Sequence, residues 1–451
     1  MKKLLALCAF MAACATAVSA QTTIHVMDTV LFFDGYAATV TTPAPPAGVI
    51  RHRNDLYARK LTTAELQSVG STLHMKVTIK ASCDNYDRIG NVNIALVPKG
   101  ATTYKPDSVQ RIEVARFITP FMNKNVQPTS VPYDYDINNV AMLLKETSIT
   151  ANYDLWMELQ VFGVPYAANT QVAGCSGRND VFYGSLELTT NAAIPAQSTN
   201  VLVPMSFQKD FNNYNANATD TVGKTTRTIN INLTSNLSDA ALFLITSNHG
   251  ANSGGEEYNR RNHYVFFDNA LKMTYKPGRT SCEPFRQYNT QANGIYGSTT
   301  KTDAQWQSFS NWCPGDVIDI RRINLGGLTA GSHTFRITVP DAVFAGGQGN
   351  FPLSLYLQGT TSGSLGIAEN FAGSDIKIFP NPASNEITIS ADNDRILDMS
   401  LINNLGAVVY QHDQAFTGKQ TIALSSFAPG LYILRIHTGS GIFTEKVQVM
   451  H

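Results

Sequence analysis

Charge is scarce in this chain, and what there is cancels. Of 451 residues only 15% are charged, 34 basic against 34 acidic, so no net field draws the chain to nucleic acid or to an anionic membrane. Long apolar runs are missing as well: beyond the first twenty residues none is long enough to cross a bilayer as a helix. Metal-binding spacings are absent. No CxxC, His-x-His or His-x3-His occurs and the nine histidines are scattered, so neither a metal nor another cofactor is expected. What is plentiful is threonine, asparagine, tyrosine, phenylalanine and glycine, a composition suited to short strands and turns rather than helices. The length implies two or three domains.

Lys2 and Lys3, the apolar run from Leu4 to Ala13 and the small residues Val18-Ser19-Ala20 have the form of an export signal over 1–20. The chain is therefore expected to be exported and soluble. Two of the six cysteines leave with that segment. Cys83, Cys175, Cys282 and Cys313 remain, an even number in an oxidising compartment, with three possible pairings. The simplest places one bridge in each half, Cys83–Cys175 and Cys282–Cys313. Closing a loop of the second size contributes roughly 3–4 kcal/mol.

From residue 72 the apolar period is two. Leu73, Met75, Val77, Ile79 and Ala81 alternate with polar residues, and Val92, Ile94 and Leu96 repeat the pattern, which predicts half-buried strands. Between these two strands stands Cys83-Asp84-Asn85-Tyr86-Asp87-Arg88, a polar turn with a structural ion pair or the rim of a site. Further strands are expected at 110–119, 133–138, 153–162, 181–190, 200–207, 226–234, 240–246, 263–269, 317–324, 332–339 and 351–358, the spacing of antiparallel sandwiches. Residues 21–70 are less regular. In 153–162, Asp154, Trp156, Glu158 and Gln160 share the face away from the apolar one. An indole beside a carboxylate suits a sugar-stacking wall, and equally an ordinary solvated strand. A second polar stretch, Ser247 to Asn262, carries His249, Glu256, Glu257, Arg260 and Arg261 and reads without further context as a solvated charged loop. The domain expectation is a 1–20 signal, 21–190, 197–358, a 359–374 linker and a compact 375–451 module.

Two motif sets now converge. CDNYDRIGNVNIAL followed by IEVARFITPFM, and HGANSGGEEYNRRNHYVFFDNA followed by Cys282 and NWCPGD, resemble the two domains of the bacterial peptide-N-glycosidase F family. The resemblance implies an all-β chain with two adjacent eight-stranded antiparallel jelly-roll domains, followed by a small Ig-like β-sandwich. It implies a metal-free amidase that hydrolyses the bond between GlcNAc and asparagine in N-linked glycoproteins or glycopeptides, in a cleft between the domains. Asp87, Glu257 and Glu158 would be its catalytic acids. Arg88, Trp156, Glu256, Arg261 and His249 would bind substrate, with Glu256 one residue from taking the place of Glu257. Where the family has further cysteines, an arginine and tryptophans, this sequence has Gly255 and Asn259, Phe309, Ser247-Asn248 and Gln160. KIFPNPA, LINNLGAVVY, SSFAPGLYILRI and EKVQVM are similar to the sorting domain of type IX secretion cargo in Bacteroidetes. That implies passage across the outer membrane to the surface or medium, with the secretion machinery as a partner. A monomer with no nucleic-acid partner is expected. The alternatives are an endo-acting glycoside hydrolase on the chitobiose core and a non-catalytic glycan-binding surface protein.

Overall fold

The computed structural model describes residues 21–191, 201–210, 225–251, 255–308, 311–343, 350–361, 376–403, 407–438 and 441–450. The expected export signal over 1–20, the stretch from 192 to 200 between the first two expected domains, most of the expected 359–374 linker and Phe309 lie outside the described residues. The protein is all-β. Its first part contains β1 (Gln21–Phe33), β2 (Val49–Arg53), β3 (Leu56–Lys60), β4 (Leu73–Ala81), β5 (Ile89–Pro98), β6 (Gln110–Ile118), β7 (Ser130–Asp136), β8 (Tyr153–Val161) and β9 (Asp180–Asn191). These nine strands exceed the eight expected because residues 49–60, where periodicity is weak, close a hairpin of β2 on β3. A short helix follows at Thr63–Ser68, started by a capping box between Thr62 and Glu65.

The second part contributes β10 (Val201–Asp210), β11 (Thr226–Leu233), β12 (Leu237–Thr246), β13 (His263–Phe267), β14 (Ala270–Tyr275), β15 (Val317–Ile318), β16 (Arg321–Leu328), β17 (Gly331–Thr338) and β18 (Pro352–Thr360). Four sheets result, with orders β1-β9-β4-β7, β15-β6-β5-β8-β3-β2, β10-β18-β12-β16 and β11-β17-β13-β14. The single strand expected at 317–324 is in fact two. β15 leaves the second part and pairs with β6, Val317 opposite Phe117 and Ile318 opposite Arg116, while β16 returns to β12. Last come β19 (Ile376–Phe379), β20 (Glu386–Ile402), β21 (Val408–His412), β22 (Phe416–Ala423), β23 (Gly430–Thr438) and β24 (Gly441–Val449), one sheet with its own apolar core.

β4 shows why the alternating strands form. Its odd-numbered residues are all buried, in a core shared with Val92, Ile94 and Leu96 of β5 and Leu155, Met157, Leu159 and Val161 of β8. That core continues across the junction of the two parts to Phe243 of β12 and Tyr356 of β18, whose rings stack 5.0 Å apart. The other face of the six-stranded sheet is also covered, so β5, β6 and β8 are buried on both sides. Polar residues there must find partners inside the protein. Arg116 and Glu113 do so, with Nε to Oε1 and Nη2 to Oε2 both 2.8 Å. Both are buried, and they hold the second part through Arg116 Nη1 to the Pro352 carbonyl and the Ser354 hydroxyl to Glu113.

Candidate active site

The turn between β4 and β5 is built by Asp84. Its buried carboxylate accepts from the backbone N–H groups of Tyr86 (2.9 Å) and Val164 (2.7 Å) and from Arg88 Nε (2.7 Å). The turn is pinned to residue 119 by paired bonds: Thr119 N–H to the Arg88 carbonyl and Arg88 N–H to the Thr119 hydroxyl, both 2.8 Å. The Cys83–Cys175 disulfide ties it to the segment after β8. Thus fixed, the turn presents Asn85, Tyr86, Asp87 and Arg88 to a cavity of about 630 Å³.

The second part supplies the facing wall. Beyond β12 the chain runs Ser247-Asn248-His249-Gly250, and His249 and Asn350 exchange backbone bonds of 2.9 Å in each direction. Gly250 N–H donates to Glu257 Oε2 at 2.9 Å, while Asn311 Nδ2 donates to the Glu256 and Glu257 carbonyls. His249, Glu257, Tyr258 and Trp312 therefore line the cavity from this side. The expectation of a solvated loop over 247–262 is overturned: Asn248, His249, Glu256 and Glu257 are all buried. Residues 291–295 complete the lining, within the irregular segment tied by the Cys282–Cys313 disulfide. Gln291 N–H donates to the Phe121 carbonyl at 2.9 Å, which joins this segment to the first part.

Two carboxyls from different parts thus face one open cleft. Burial, then the negative charge of Glu257, push the Asp87 carboxyl up to about 7, with Arg88 opposing. Glu257 is also raised by burial, against the stabilising N–H of Gly250 and hydroxyl of Tyr258. Burial and the Arg116 guanidinium lower His249 to about 3, so its imidazole is neutral. Such a pair can hold one proton near neutrality, the condition for acid–base chemistry on a single bond.

The structure does not bring every expected residue here. Glu158 is 0% exposed and lies on the covered face of β8, where it accepts from Tyr104 Oη (2.8 Å) and Asn93 Nδ2 (3.0 Å). Trp156 is no open stacking wall: it is 4% exposed, with the Tyr104 ring edge-on at 5.4 Å. The reason is the loop after β5, which folds Tyr104 over the sheet face that periodicity assigned to solvent. Glu256 turns away from the cavity to Arg261 Nε (2.9 Å) and the Val343 N–H (2.9 Å). Arg261 is occupied by that pairing, and neither lines the cavity. Sequence reasoning passed over Tyr86, Asn85, Gln171, Tyr258, Asn293 and Trp312. Tyr86 is an aromatic ring 41% exposed on the rim, and the Asn85 amide donates to Gln171 Oε1 at 2.8 Å. Adjacency to Asp87 and Glu257 was the available signal for Tyr86 and Tyr258. Nothing local marked Gln171 or Asn293.

Comparison with known proteins gives concordant matches. The family profiles described as "Peptide-N-glycosidase F, N terminal" and "Peptide-N-glycosidase F, C terminal" match residues 23–176 and 213–358. A third, "Secretion system C-terminal sorting domain", matches residues 377–450. Among solved structures, PNGF-II aligns with a TM-score of 0.54 at 20% identity, covering 76% of this chain; the chain spans 66% of PNGF-II, just under two thirds. PNGase F, a glycosylasparaginase from Flavobacterium meningosepticum, aligns with a TM-score of 0.50 at 16% identity over 78% of this chain and 99% of that one. At these identities the likeness is one of fold. No curated protein gave a match.

Proposed function

Because the chain belongs to the peptide-N-glycosidase F family and ends in a type IX secretion sorting domain that directs export to the surface or medium, we propose that it is a secreted amidase acting on N-linked glycoproteins or glycopeptides. In this reading it hydrolyses the amide joining GlcNAc to the asparagine side chain, leaving aspartate and releasing the glycan as a glycosylamine. Residues 21–190 and 197–358 are then two jelly-roll domains that form the cleft of a monomer. Residues 375–451 are an Ig-like module read as an address by the secretion machinery.

The supporting observation is that Asp87 and Glu257 meet in one cavity between the two parts, with the carboxyl of Asp87 raised to about 7 partly by the charge of Glu257. An amide resists hydrolysis because its nitrogen leaves poorly and its carbonyl is a weak electrophile. Glu257, ionised and held by the Gly250 N–H, takes a proton from water as that oxygen bonds to the acyl carbon. The carbon–nitrogen bond then breaks as Asp87 gives its proton to the departing nitrogen. Proton return from Glu257 to Asp87 resets the pair. Arg88, anchored on Asp84, limits the repulsion between the two acids. Tyr86 offers a ring face to a sugar. Glu158 and Trp156, buried on the covered face of β8, hold the six-stranded sheet together and take no part in the reaction.

Mass spectrometry of a glycopeptide digest tests the assignment. Wild type should convert glycosylated asparagine to aspartate, and Asp87→Ala and Glu257→Ala should slow this by roughly 10²–10⁴-fold. A product retaining one GlcNAc on asparagine identifies a glycoside hydrolase instead. Binding without any release by the wild type identifies a glycan-binding protein.

A further inference from the structure

A continuous chain of hydrogen bonds runs from the centre of the first part into the cavity. Asn91 Nδ2 donates to Glu113 Oε1 at 2.6 Å, and Glu113 takes both Nε and Nη2 of Arg116. Arg116 Nη1 then crosses to the second part and donates to Ser247 Oγ at 2.8 Å. Ser247 Oγ stands 2.7 Å from His249 Nε2. A guanidinium only donates, so the serine oxygen accepts from it, and the buried hydroxyl proton has one neighbouring acceptor, His249 Nε2. The ring's remaining hydrogen must therefore sit on Nδ1. That atom has no hydrogen-bond partner among the described residues, and the imidazole lines the cavity beside Trp312, ring centroids 5.9 Å apart. One residue further on, Gly250 holds the carboxylate of Glu257.

We propose that His249 is a fixed, neutral Nδ1–H hydrogen-bond donor to an oxygen of the glycan-bearing substrate, and that Arg116 and Ser247 are the positioning residues that set its tautomer. The choice of substrate rests on the amidase reading; the tautomer rests on the hydrogen-bond chain alone. The arrangement makes the junction part of the site. A cation buried in one part dictates which nitrogen of a histidine in the other carries hydrogen. The lowered basicity of the ring, caused by burial and by Arg116, agrees with a donor that never becomes an imidazolium at working pH.

Long-range 1H–15N spectra of the full-length, 15N-labelled protein at neutral pH read the tautomer directly, and calorimetry with an asparagine-linked chitobiosyl glycopeptide in an Asp87→Asn background reads binding without turnover. His249 is expected as the Nδ1–H form, with Ser247→Ala moving it toward Nε2–H and weakening binding roughly 3- to 10-fold, the scale of one hydrogen bond. Two isosteres guard against a folding artefact. His249→Asn places its amide nitrogen near Nδ1 and should bind within roughly threefold of wild type; His249→Gln places it near Nε2 and should bind about as weakly as Ser247→Ala. An Nε2–H or imidazolium form in wild type, or equal binding by the two isosteres, overturns the proposal. A wild type with the Nδ1–H form and the expected binding but no release of glycan leaves the donor standing and removes the amidase; release with an Nε2–H ring does the reverse.

Discussion

Burial raises both Asp87 and Glu257, but Asp87 carries a second cause, and that difference is measurable. The second cause raising Asp87 is the charge on Glu257, so 13C titration of the Asp87 carboxyl should give an apparent value near 7 that drops in Glu257→Gln. An unchanged value would place the two acids out of electrostatic reach. The same shift has a stability consequence. The folded carboxyl titrates near 7 and the unfolded one near 3.8, so the native state binds more protons between these values. Stability from this group is complete below about pH 4 and is lost as pH rises through 7. Asp87→Asn should remove that loss and resist urea better at pH 8 by roughly 1–3 kcal/mol, discounted for the partial exposure of the group. Glu158 is the contrasting case. With its oxygens committed to Tyr104 and Asn93, Glu158→Gln should cost about 2–3 kcal/mol in stability while the folded enzyme keeps kcat within a few-fold. A loss of kcat with unchanged stability would return Glu158 to the reaction. The sequence could not separate these three carboxylates. Period two in β8 assigns Glu158 to the outer face, and only the fold of Tyr104 over that face reveals it as interior.

Strands were legible where one face is buried and one is open, as in β4, because alternation then records the environment directly. They were less so at 21–60, where β1 has three register irregularities in its pairing with β9 and the β2–β3 hairpin bears a bulge. The transfer of β15 to the other sheet was not legible at all, since the local pattern of 317–324 is the same whichever sheet it joins. Cysteine arithmetic did better: the bridges Cys83–Cys175 and Cys282–Cys313 are both formed, across separations of 92 and 31 residues. Chain-entropy reasoning puts their removal at about 4–5 and roughly 3–4 kcal/mol respectively. Because the second bridge also closes the segment carrying residues 291–295 into the cavity, Cys282→Ser with Cys313→Ser should raise KM for glycopeptide several-fold even where the protein stays folded. Chemical denaturation together with Michaelis kinetics on the two double variants checks both effects. An unaltered KM would mean that the lining holds its shape without the bridge.

The two parts within residues 21–361 are joined at several places. β15, from the second part, adds to the first part's six-stranded sheet beside β6, the ion pair of Arg116 and Glu113 on β6 bonds across the junction to Pro352 and Ser354, and Phe243 and Tyr356 extend the first core into the second part. Breaking the junction would undo the buried hydrogen bonds that this pair makes to the second part and expose the apolar contact of Phe243 and Tyr356. Calorimetry of residues 21–361 should therefore show one cooperative transition, and two resolved transitions would mean that the halves fold independently. Such seams also fix the gauge of the opening between the halves. On the amidase reading, jaws stitched together do not swallow the target, so the target must reach in. Sugar-bearing asparagines on unfolded or highly mobile backbone should be served first, and those flush with a rigid surface last. Equal release rates from the native and reduced forms of one glycoprotein would point instead to jaws that open.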